Sequence, residues 1–261
     1  MIFSDFALAR RLETADAANG AACVEAQSAA GAALEEAAGG LALFVAPHSP
    51  LTHALGLGMN GPVAAGELDR VEAFFRTRGV PVAIDLCPYA HPSLVELVRD
   101  RGYRIVEFNS VLVLPLSGLP PGAPDPRIRE AAPADVAIWA ATLAEGFFEN
   151  ARFTAEELEV GTTLFRAPGT RCFLGTWPAG GPAAGGAMAV RNGLATLFGD
   201  ATIARFRGAG LQTALIRTRL DAAMRAGCDL ATAATLPGSI SQRNYEKLGF
   251  RVVYTKVGLT A

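Results

Sequence analysis

An internal correspondence at a nearly constant offset constrains the fold of this chain more than any other feature. The stretch RGVPVAIDLCP (78–88) parallels AGCDLATAATLP (226–237), and DRGYRIVEFNSVLVL (100–114) parallels KLGFRVVYTKVGL (247–259). The matching glycines are 148 residues apart in the first pair and 147 in the second. Each copy runs helix, glycine, strand, proline loop, short helix, Gly-aromatic-Arg, strand. Matches that keep one order at one offset predict a duplicated fold.

A proline-rich stretch separates the two copies. The segment SGLPPGAPDP (117–126) holds four prolines and two glycines in ten residues. Because proline lacks an N–H donor and fixes φ, this stretch fits neither a helix nor a central strand. It is typical of a semi-rigid surface spacer. We therefore predict two domains, residues 1–116 and residues 127–261, each near the common domain size.

The composition excludes several classes of protein. Apolar residues make up 51% of the 261 residues and charged residues 18%, which is typical of a globular chain. The formal net charge of -2 leaves no electrostatic footprint for nucleic acid. No apolar run approaches the roughly 20 residues that a membrane helix needs, so we expect no membrane partner. The first residues show no basic segment followed by an apolar core, so we predict no signal peptide.

The cysteines and histidines point away from a metal site and from a disulfide framework. Cys23, Cys87, Cys172 and Cys228 lie far apart without a CxxC pair. The three histidines are too few and too poorly spaced for a metal centre. Isolated thiols are usual in a reducing compartment. We therefore expect a cytoplasmic protein that holds no metal.

The second half of the chain alternates strand and helix signals. Apolar runs at 173–177 and 187–192 predict a hairpin, and 194–203 predicts the next strand. A wide apolar stripe predicts a long helix that starts at Leu211 and ends at a left-handed cap on Gly227. The remaining predicted elements are a strand at 228–235, a short helix at about 241–248 and a last strand at 250–257.

Arginines and glycines stand directly before the long helix. The pattern Arg205-x-x-Gly208-x-Gly210 follows a strand, and its glycines would let an anion approach the main chain without meeting a Cβ. The first amides of a helix have no internal partner, and the helix dipole favours negative charge there. The pattern therefore predicts either a phosphate site or an ordinary glycine-rich connection. It lacks the lysine-Ser/Thr ending of a nucleotide P-loop. It also lacks the dinucleotide fingerprint, since Thr213 stands where the third glycine would fall.

A second motif, about thirty residues further on, resembles a known family. Residues 245–250 read YEKLGF and match the closing signature Tyr-Glu-Lys-x-Gly-Phe of the GNAT superfamily, the acyl-CoA-dependent N-acyltransferases. The loop before the long helix matches the family's Q/R-x-x-G-x-G/A pattern, in the family's order and spacing. The resemblance is strong over residues 127–257 and faint over residues 1–116. It implies an α/β (α+β) fold of two GNAT-like domains, each a mixed, mostly antiparallel twisted sheet flanked by helices.

The resemblance also implies acetyl-CoA as the cosubstrate. Thr202 and Ile203, at the end of the preceding strand, would pair with the pantetheine arm. Many members carry an asparagine where this chain has Gly238, and Ser239 or Asn244 is the candidate to replace it. The loop residues implied to hold the pyrophosphate are Arg205, Arg207, Gly208, Ala209, Gly210, Leu211 and Gln212.

Tyr245 is implied as the general acid of the reaction. A thiol of pKa about 8.5 leaves more easily when a proton donor meets it as it departs. The alternative for Tyr245 is a core tyrosine with a hydrogen-bonded hydroxyl. The base that deprotonates the amine is left open among Asp200, Glu145, Glu149 and a water relay.

The first half keeps the predicted order of helices and strands, but it has different residues at the counterparts of the anion loop and of the Asn-Tyr pair. The counterpart of the anion loop, LGMNGP (57–62), lacks both arginines and has Pro62 in place of the second glycine. Leu97 and Val98 stand at the counterpart of the Asn-Tyr pair. We therefore predict that residues 1–116 form a degenerate GNAT-like domain without a coenzyme A site.

These patterns favour an N-acetyltransferase that moves an acetyl or short acyl group from acetyl-CoA to an amine by direct attack on the thioester. The alternative is a non-catalytic acyl-CoA-binding or sensing protein, which the missing base favours. The expected acceptor is a small-molecule or peptide amine, with no nucleic-acid partner. A homodimer is compatible with the sequence.

Overall fold

The structure is a computed structural model, and it describes residues 4–27, 30–120, 122–149, 153–177 and 180–261. It divides into two compact units, neither of them continuous in sequence. The first unit comprises Met1–Val111, Thr235–Pro237 and Val252–Ala261, and the second comprises Leu112–Ala234 and Gly238–Arg251. The domain boundaries expected at the proline-rich spacer stay a prediction, and Pro121 of that spacer lies outside the described residues.

Helices and strands alternate along both halves of the chain. The first half contains α1 (Phe6–Ala26), β1 (Ala33–Ala37), β2 (Gly40–Phe44), β3 (Ala54–Leu55), α2 (Ala65–Arg76), β4 (Ala83–Leu86), α3 (Pro92–Asp100) and β5 (Arg104–Pro115). The second half contains β6 (Ile128–Glu130), α4 (Val136–Phe148), α5 (Ala155–Arg166), β7 (Thr170–Thr176), β8 (Pro182–Arg191), β9 (Leu194–Thr202), α6 (Leu211–Arg225), β10 (Leu230–Thr235), α7 (Ile240–Lys247) and β11 (Arg251–Thr260). The long helix begins at Leu211, as predicted.

The first unit is built on a mixed sheet with the strand order β1-β2-β3-β4-β11-β5. The pairs β1–β2, β2–β3 and β4–β11 are antiparallel, and β3–β4 is parallel. Helix α2 turns Leu68, Val71 and Phe75 into the interior, where Leu43 and Ile84 of the sheet are also buried. The spacing of the helical residues is that of an amphipathic helix lying on a sheet.

The second unit has the strand order β5-β10-β9-β8-β7-β6, to which β5 contributes its last residues. The pairs from β6 to β9 are antiparallel, and β9–β10 is parallel. A mostly antiparallel sheet that contains the parallel pair β9–β10 confirms the predicted mixed α/β class. Buried Leu215 and Ile216 of α6 join Leu197 and Phe250 in the hydrophobic core.

Two adjacent glycines of β8 show which helix packs against which face of this sheet. A Cβ at Gly185 would stand 2.5 Å from Leu143 of α4, whereas a Cβ at Gly186 would stand 2.9 Å from the guanidinium carbon of Arg219 on α6. Successive residues of a strand point to opposite faces. Helices α4 and α6 therefore cover opposite faces of the second unit's sheet.

All four cysteines are free and buried. Burial raises the pKa of the Cys23 thiol to about 11 and the pKa of the Cys172 thiol to about 12. Across the described part of the chain, no helix is both long enough and apolar enough to cross a bilayer.

A buried charge cluster ties the last strand of the chain to the first helix, within the first unit. The Nζ atom of Lys256 lies 2.6 Å from Oδ2 of Asp16. It also lies 3.1 Å from Oε2 of Glu13, an ion-pair contact without hydrogen-bond alignment. The hydroxyl of Tyr254 donates to Oε1 of Glu13 at 2.7 Å. Burial by itself would lower the pKa of Lys256, but the two carboxylates outweigh burial and raise that pKa above its ordinary value.

Lys256→Met should therefore destabilise the protein strongly. The substitution leaves Glu13 buried without its cation, which typically costs about 3–5 kcal/mol of unfolding free energy. Chemical denaturation followed by circular dichroism measures the loss. Lys247, the other lysine of the chain, is exposed on α7, so Lys247→Met is a matched control that should stay within about 0.5 kcal/mol of wild type. Equal losses in the two variants would contradict a structural role for this cluster.

Candidate active site

The strands β9 and β10 stop pairing with each other before either of them ends. Their parallel pairing runs from Leu194 and Leu230 to Leu197 and Ala233. Beyond that point β9 continues to Thr202, still paired with β8 on its other side. The second unit therefore has an opening along one edge of β9, next to residues 198–202.

The last residues of β9 place main-chain groups at this opening. The N–H of Ile203 donates to the carbonyl of Ala183 at 3.0 Å, so it is directed towards β8. Thr202 is paired with Ala184, and successive main-chain groups of a strand point to opposite edges. The amide groups of Thr202 therefore face away from β8, towards the opening. Of the two residues predicted to meet a pantetheine arm, Thr202 has its main-chain groups on the side of the opening, and Ile203 has its N–H on the side of β8.

The loop after β9 leaves the start of α6 uncapped. Gly208 and Gly210 have φ of +79° and +77°, a left-handed conformation that favours glycine. A Cβ at either glycine would meet no described atom within 4 Å. Gly210 is the N-cap, and no side chain caps the helix. The first bond of the helix runs from Ala214 to Gly210, so the preceding amides, which include Leu211 and Gln212, have no partner inside it.

Helix α2 of the first unit, the predicted counterpart of α6, has a carboxylate in its first turn. Glu67, in the first turn of α2, accepts a hydrogen bond from the N–H of Ala64 at 2.8 Å. A carboxylate in this position satisfies the helix dipole as a bound anion would. The first turn of α6 contains no acidic residue. The start of α2 therefore has a negative charge of its own, whereas the start of α6 has none.

The two arginines of the loop are ion-paired with helix α4. Arg205 pairs with Glu145, and Arg207 pairs with Glu149 at 2.5 Å. Arg207 also donates to the carbonyl of Thr202 at 3.1 Å and to that of Gly146 at 2.9 Å. Both arginines and Glu149 are exposed and Glu145 is half-buried, and ion pairs at a surface contribute little to stability. The structure thus brings Glu145 and Glu149, two of the predicted base candidates, to the arginines.

Tyr245 is buried and hydrogen-bonded to the remaining base candidate. Its side chain is 1% exposed, and its ring meets the ring of Phe250 edge to face at a centroid distance of 4.9 Å. The Tyr245 hydroxyl donates to Oδ2 of Asp200, on the part of β9 that lies beyond its pairing with β10. Burial, followed by the negative charge of Asp200, raises the pKa of Tyr245 well above its ordinary value. The phenol is therefore protonated throughout the neutral range.

Arg219 completes this group, and the sequence analysis missed it. Its guanidinium is fully buried and pairs with Oδ1 of Asp200. A signal was present, because Arg219 interrupts the apolar stripe of α6 four residues after Leu215 and four before Ala223. An arginine at a position that faces a core needs a buried partner.

Arg127, which the sequence analysis also missed, hydrogen-bonds the loop that precedes α6. It donates to the carbonyl of Ala209 at 2.9 Å and pairs with Asp125 at 2.7 Å. Hydrogen bonding from Arg127 lowers the pKa of Asp125, which keeps this pair charged. No local pattern marks the contact of Arg127 with the loop, since Ala209 lies 82 positions further along the chain.

Polar side chains join the start of α6 to α7. Gln212 donates to the hydroxyl of Ser241 at 2.9 Å and accepts from Asn244 at 2.8 Å. Ser239 caps α7 by accepting from the N–H of Gln242 at 3.1 Å. Of the two candidates to replace the missing asparagine, Asn244 contacts the first turn of α6, and Ser239 caps α7.

No protein-family model matches this sequence, and no curated protein matches it either. The fold has counterparts among solved structures. A GCN5-related N-acetyltransferase from Kribbella flavida is 19% identical, with 94% of each chain covered and a TM-score of 0.66. A GCN5-related N-acetyltransferase from Sphaerobacter thermophilus is 16% identical, with 88% of this chain and 75% of that chain covered and a TM-score of 0.59.

A third solved structure is a tandem GNAT protein from the clavulanic acid biosynthesis pathway. It is 16% identical, with 84% of this chain and 73% of that chain covered and a TM-score of 0.56. At these identities the likeness establishes the fold, which the two sequence motifs had predicted. The chain has the fold of the GCN5-related N-acetyltransferases.

Proposed function

We propose that this protein is an N-acetyltransferase that moves an acetyl or short acyl group from acetyl-CoA to an amine. The observation that carries the proposal is the uncapped start of α6, where Gly208 and Gly210 expose main-chain amides beside the opening between β9 and β10. A site that offers amide donors and a positive dipole suits a pyrophosphate. The fold of the solved N-acetyltransferases supports the same reaction class.

Coenzyme A fits the residues around this opening. The amides from Gly208 to Gln212 would hold the pyrophosphate, and Thr202 would pair with the pantetheine arm. Arg205 and Arg207 are exposed and would exchange their glutamate partners for phosphate oxygens, which costs little because ion pairs at a surface are weak. Bound acetyl-CoA supplies the activated acyl thioester.

In the proposed reaction the amine nitrogen attacks the thioester carbon, and the C–S bond breaks. The departing thiolate takes the proton of the Tyr245 hydroxyl, which is placed on the helix of the closing motif. The proton lost by the amine passes to water, because Asp200, Glu145 and Glu149 each already face an arginine. The acceptor is a small-molecule or peptide amine.

We further propose a tandem arrangement in which the first half has no coenzyme A site. Glu67 already fills the anion position at the start of α2, and Pro62 precedes that helix. The likeness to a solved tandem GNAT protein supports the duplication. Four free, buried thiols suit a reducing cytoplasm.

A non-catalytic acyl-CoA sensor is the second candidate. Two observations favour it: the hydroxyl of Tyr245 is already bonded to Asp200, and the side chain is 1% exposed. Both candidates bind acetyl-CoA, so binding does not separate them. Release of free thiol from acetyl-CoA in the presence of an amine panel does, because only the enzyme turns over.

Gly210→Asp should abolish the stabilisation of this protein by acetyl-CoA. The aspartate places a carboxylate where a phosphate is expected. For wild type, ligand at about 100 times its Kd should add roughly 2.7 kcal/mol to the unfolding free energy. Thermal unfolding with and without acetyl-CoA measures both effects.

The matched control is Gly227→Asp at the other end of the same helix. Gly227 has φ of +75° and open space around its Cβ position, so the backbone strain is equivalent to that at Gly210. This variant should keep the full ligand-induced shift. A wild-type protein that acetyl-CoA does not stabilise would rule out the anion site.

Tyr245→Phe should lower kcat by about 10²-fold and leave the KM for acetyl-CoA nearly unchanged. The ring keeps its packing against Phe250, so the substitution removes only the proton donor and acts on the transition state. Steady-state kinetics by thiol release measures both constants. Tyr89→Phe removes an exposed hydroxyl bond to Ser4 and is the control, with no expected change. An unchanged kcat in Tyr245→Phe, under conditions where chemistry limits the rate, would refute the acid role.

A further inference from the structure

The proline-rich spacer (117–126) contacts helix α6 and the loop before it, all within the second unit. The N–H of Gly122 donates to Oδ1 of Asp221 at 2.9 Å, in the second half of that helix. At its other end the spacer leads into Arg127, whose side chain reaches the carbonyl of Ala209 in the loop. A segment that the sequence marks as a connection between domains therefore also touches the candidate anion site.

The side chain of Arg127 is held in one orientation. Its Nε atom donates to Oδ1 of Asp125 at 3.0 Å, and its Nη2 atom donates to Oδ2 at 2.7 Å. Such a two-pronged pair fixes the plane of the guanidinium. The main-chain carbonyl of Arg127 accepts from the N–H of Thr176 on β7 at 2.9 Å. Pro124 and Pro126 flank Asp125 and restrict the backbone on both sides of it.

The third nitrogen of this guanidinium determines how one peptide of the loop is turned. Nη1 of Arg127 donates to the carbonyl of Ala209 at 2.9 Å. In a planar trans peptide the C=O and the N–H point in opposite directions. The N–H of Gly210, which belongs to the same peptide, is therefore turned away from Arg127. Gly210 is the N-cap of α6, so this amide is one of those proposed to hold the pyrophosphate.

This peptide needs an external restraint because glycines stand on both sides of Ala209. Gly208 and Gly210 both have left-handed φ, and glycine changes its backbone conformation at little cost. A rotated peptide would present a carbonyl oxygen, instead of an N–H, to a bound anion. Hydrogen bonds from a charged donor are among the stronger ones in proteins. The bond from Arg127 thus favours the orientation that suits an anion.

Arg127 contributes orientation and little net charge. Hydrogen bonding from Arg127 lowers the pKa of Asp125, so the carboxylate is ionised at neutral pH and offsets the charge of the guanidinium. Arg205 and Arg207, in contrast, are exposed on the loop itself and are available to phosphate oxygens. The two kinds of arginine therefore differ in what they can offer a pyrophosphate.

We propose that Arg127 and Asp125 are positioning residues for the pyrophosphate of coenzyme A, which hold the N–H of Gly210 towards it. This inference rests on the proposed function. It makes the end of the proline-rich spacer part of the cofactor site, in addition to its place between the two halves of the sequence.

The test compares an acyl donor that carries the pyrophosphate with one that lacks it. For Arg127→Gln, thiol release gives kcat/KM with acetyl-CoA and with S-acetylpantetheine, which ends at the pantetheine arm. Separately, calorimetry measures the Kd of coenzyme A without turnover. Arg129→Gln is the matched control, because Arg129 lies two residues further on, in β6, and donates through two nitrogens to Asp135 instead of the loop.

We expect Arg127→Gln to raise the Kd of coenzyme A about 10-fold, because affinity falls with the fraction of molecules whose amide is correctly oriented. With acetyl-CoA, kcat/KM should fall by the same factor and kcat should be unchanged. With S-acetylpantetheine, kcat/KM should be unchanged. Arg129→Gln should alter none of these constants. Equal losses with the two donors would overturn the inference, because the substitution would then act on the fold and not on the pyrophosphate.

Arg127→Lys separates orientation from charge. Lysine keeps the positive charge but lacks the planar fork, so it cannot bond Asp125 twice and Ala209 at the same time. The Kd of coenzyme A in this variant should stay close to that of Arg127→Gln. A wild-type Kd in Arg127→Lys would contradict the orienting role, since charge alone would then suffice.

If Arg127→Gln does not fold, Asp125→Asn is the second variant, because it leaves the arginine in place and weakens its hold. It should raise the Kd of coenzyme A and leave kcat/KM with S-acetylpantetheine unchanged; an unchanged Kd would overturn the inference. A wild-type protein that binds coenzyme A and transfers no acetyl group would contradict the proposed function alone, and calorimetry would still decide the role of Arg127. A wild-type protein that does not bind coenzyme A would overturn both.

Discussion

A single buried guanidinium links the elements that form the candidate site. Arg219 contacts carbonyls of β8 and β9 and the carboxylate of Asp200, so α6, the sheet and Tyr245 of α7 meet at one charge. A charge in a low-dielectric interior tolerates few arrangements, because every lost partner leaves a costly unpaired group. Gly186 supplies the space that this arrangement needs. The geometry of the second unit therefore depends on satisfying Arg219.

The starts of α6 and α2 differ both in backbone conformation and in charge. In the second unit α6 begins at a left-handed glycine with no capping side chain, which leaves amides for an external anion. In the first unit Glu67 supplies the negative charge from within the chain. The candidate anion site thus differs from the start of α2 in two ways: its N-cap is a left-handed glycine, and its first turn carries no carboxylate.

The elements of the second half could be predicted because their signals are local. Glycine at φ +77° before α6 and at φ +75° after it marked both ends of the helix, and the apolar stripe between them set its buried face. Contacts between distant segments could not be predicted in this way. Arg127 reaches Ala209, and Arg219 reaches Asp200, through the packing of separate elements. The ion pairs of Glu145 and Glu149 with the loop arginines have the same origin.

The sequence by itself determined the fold class, the glycine-rich start of α6 and the presence of a tyrosine on the closing helix, since each depends on residues close together in the chain. Tertiary structure decided which carboxylate meets Tyr245, because three candidates had equivalent sequence signals and only packing distinguishes them. It also decided that the last strand lies in the first unit, where Lys256 enters a buried cluster with Glu13. Burial and pairing of charges are properties of the assembled core, and no short stretch of sequence contains them.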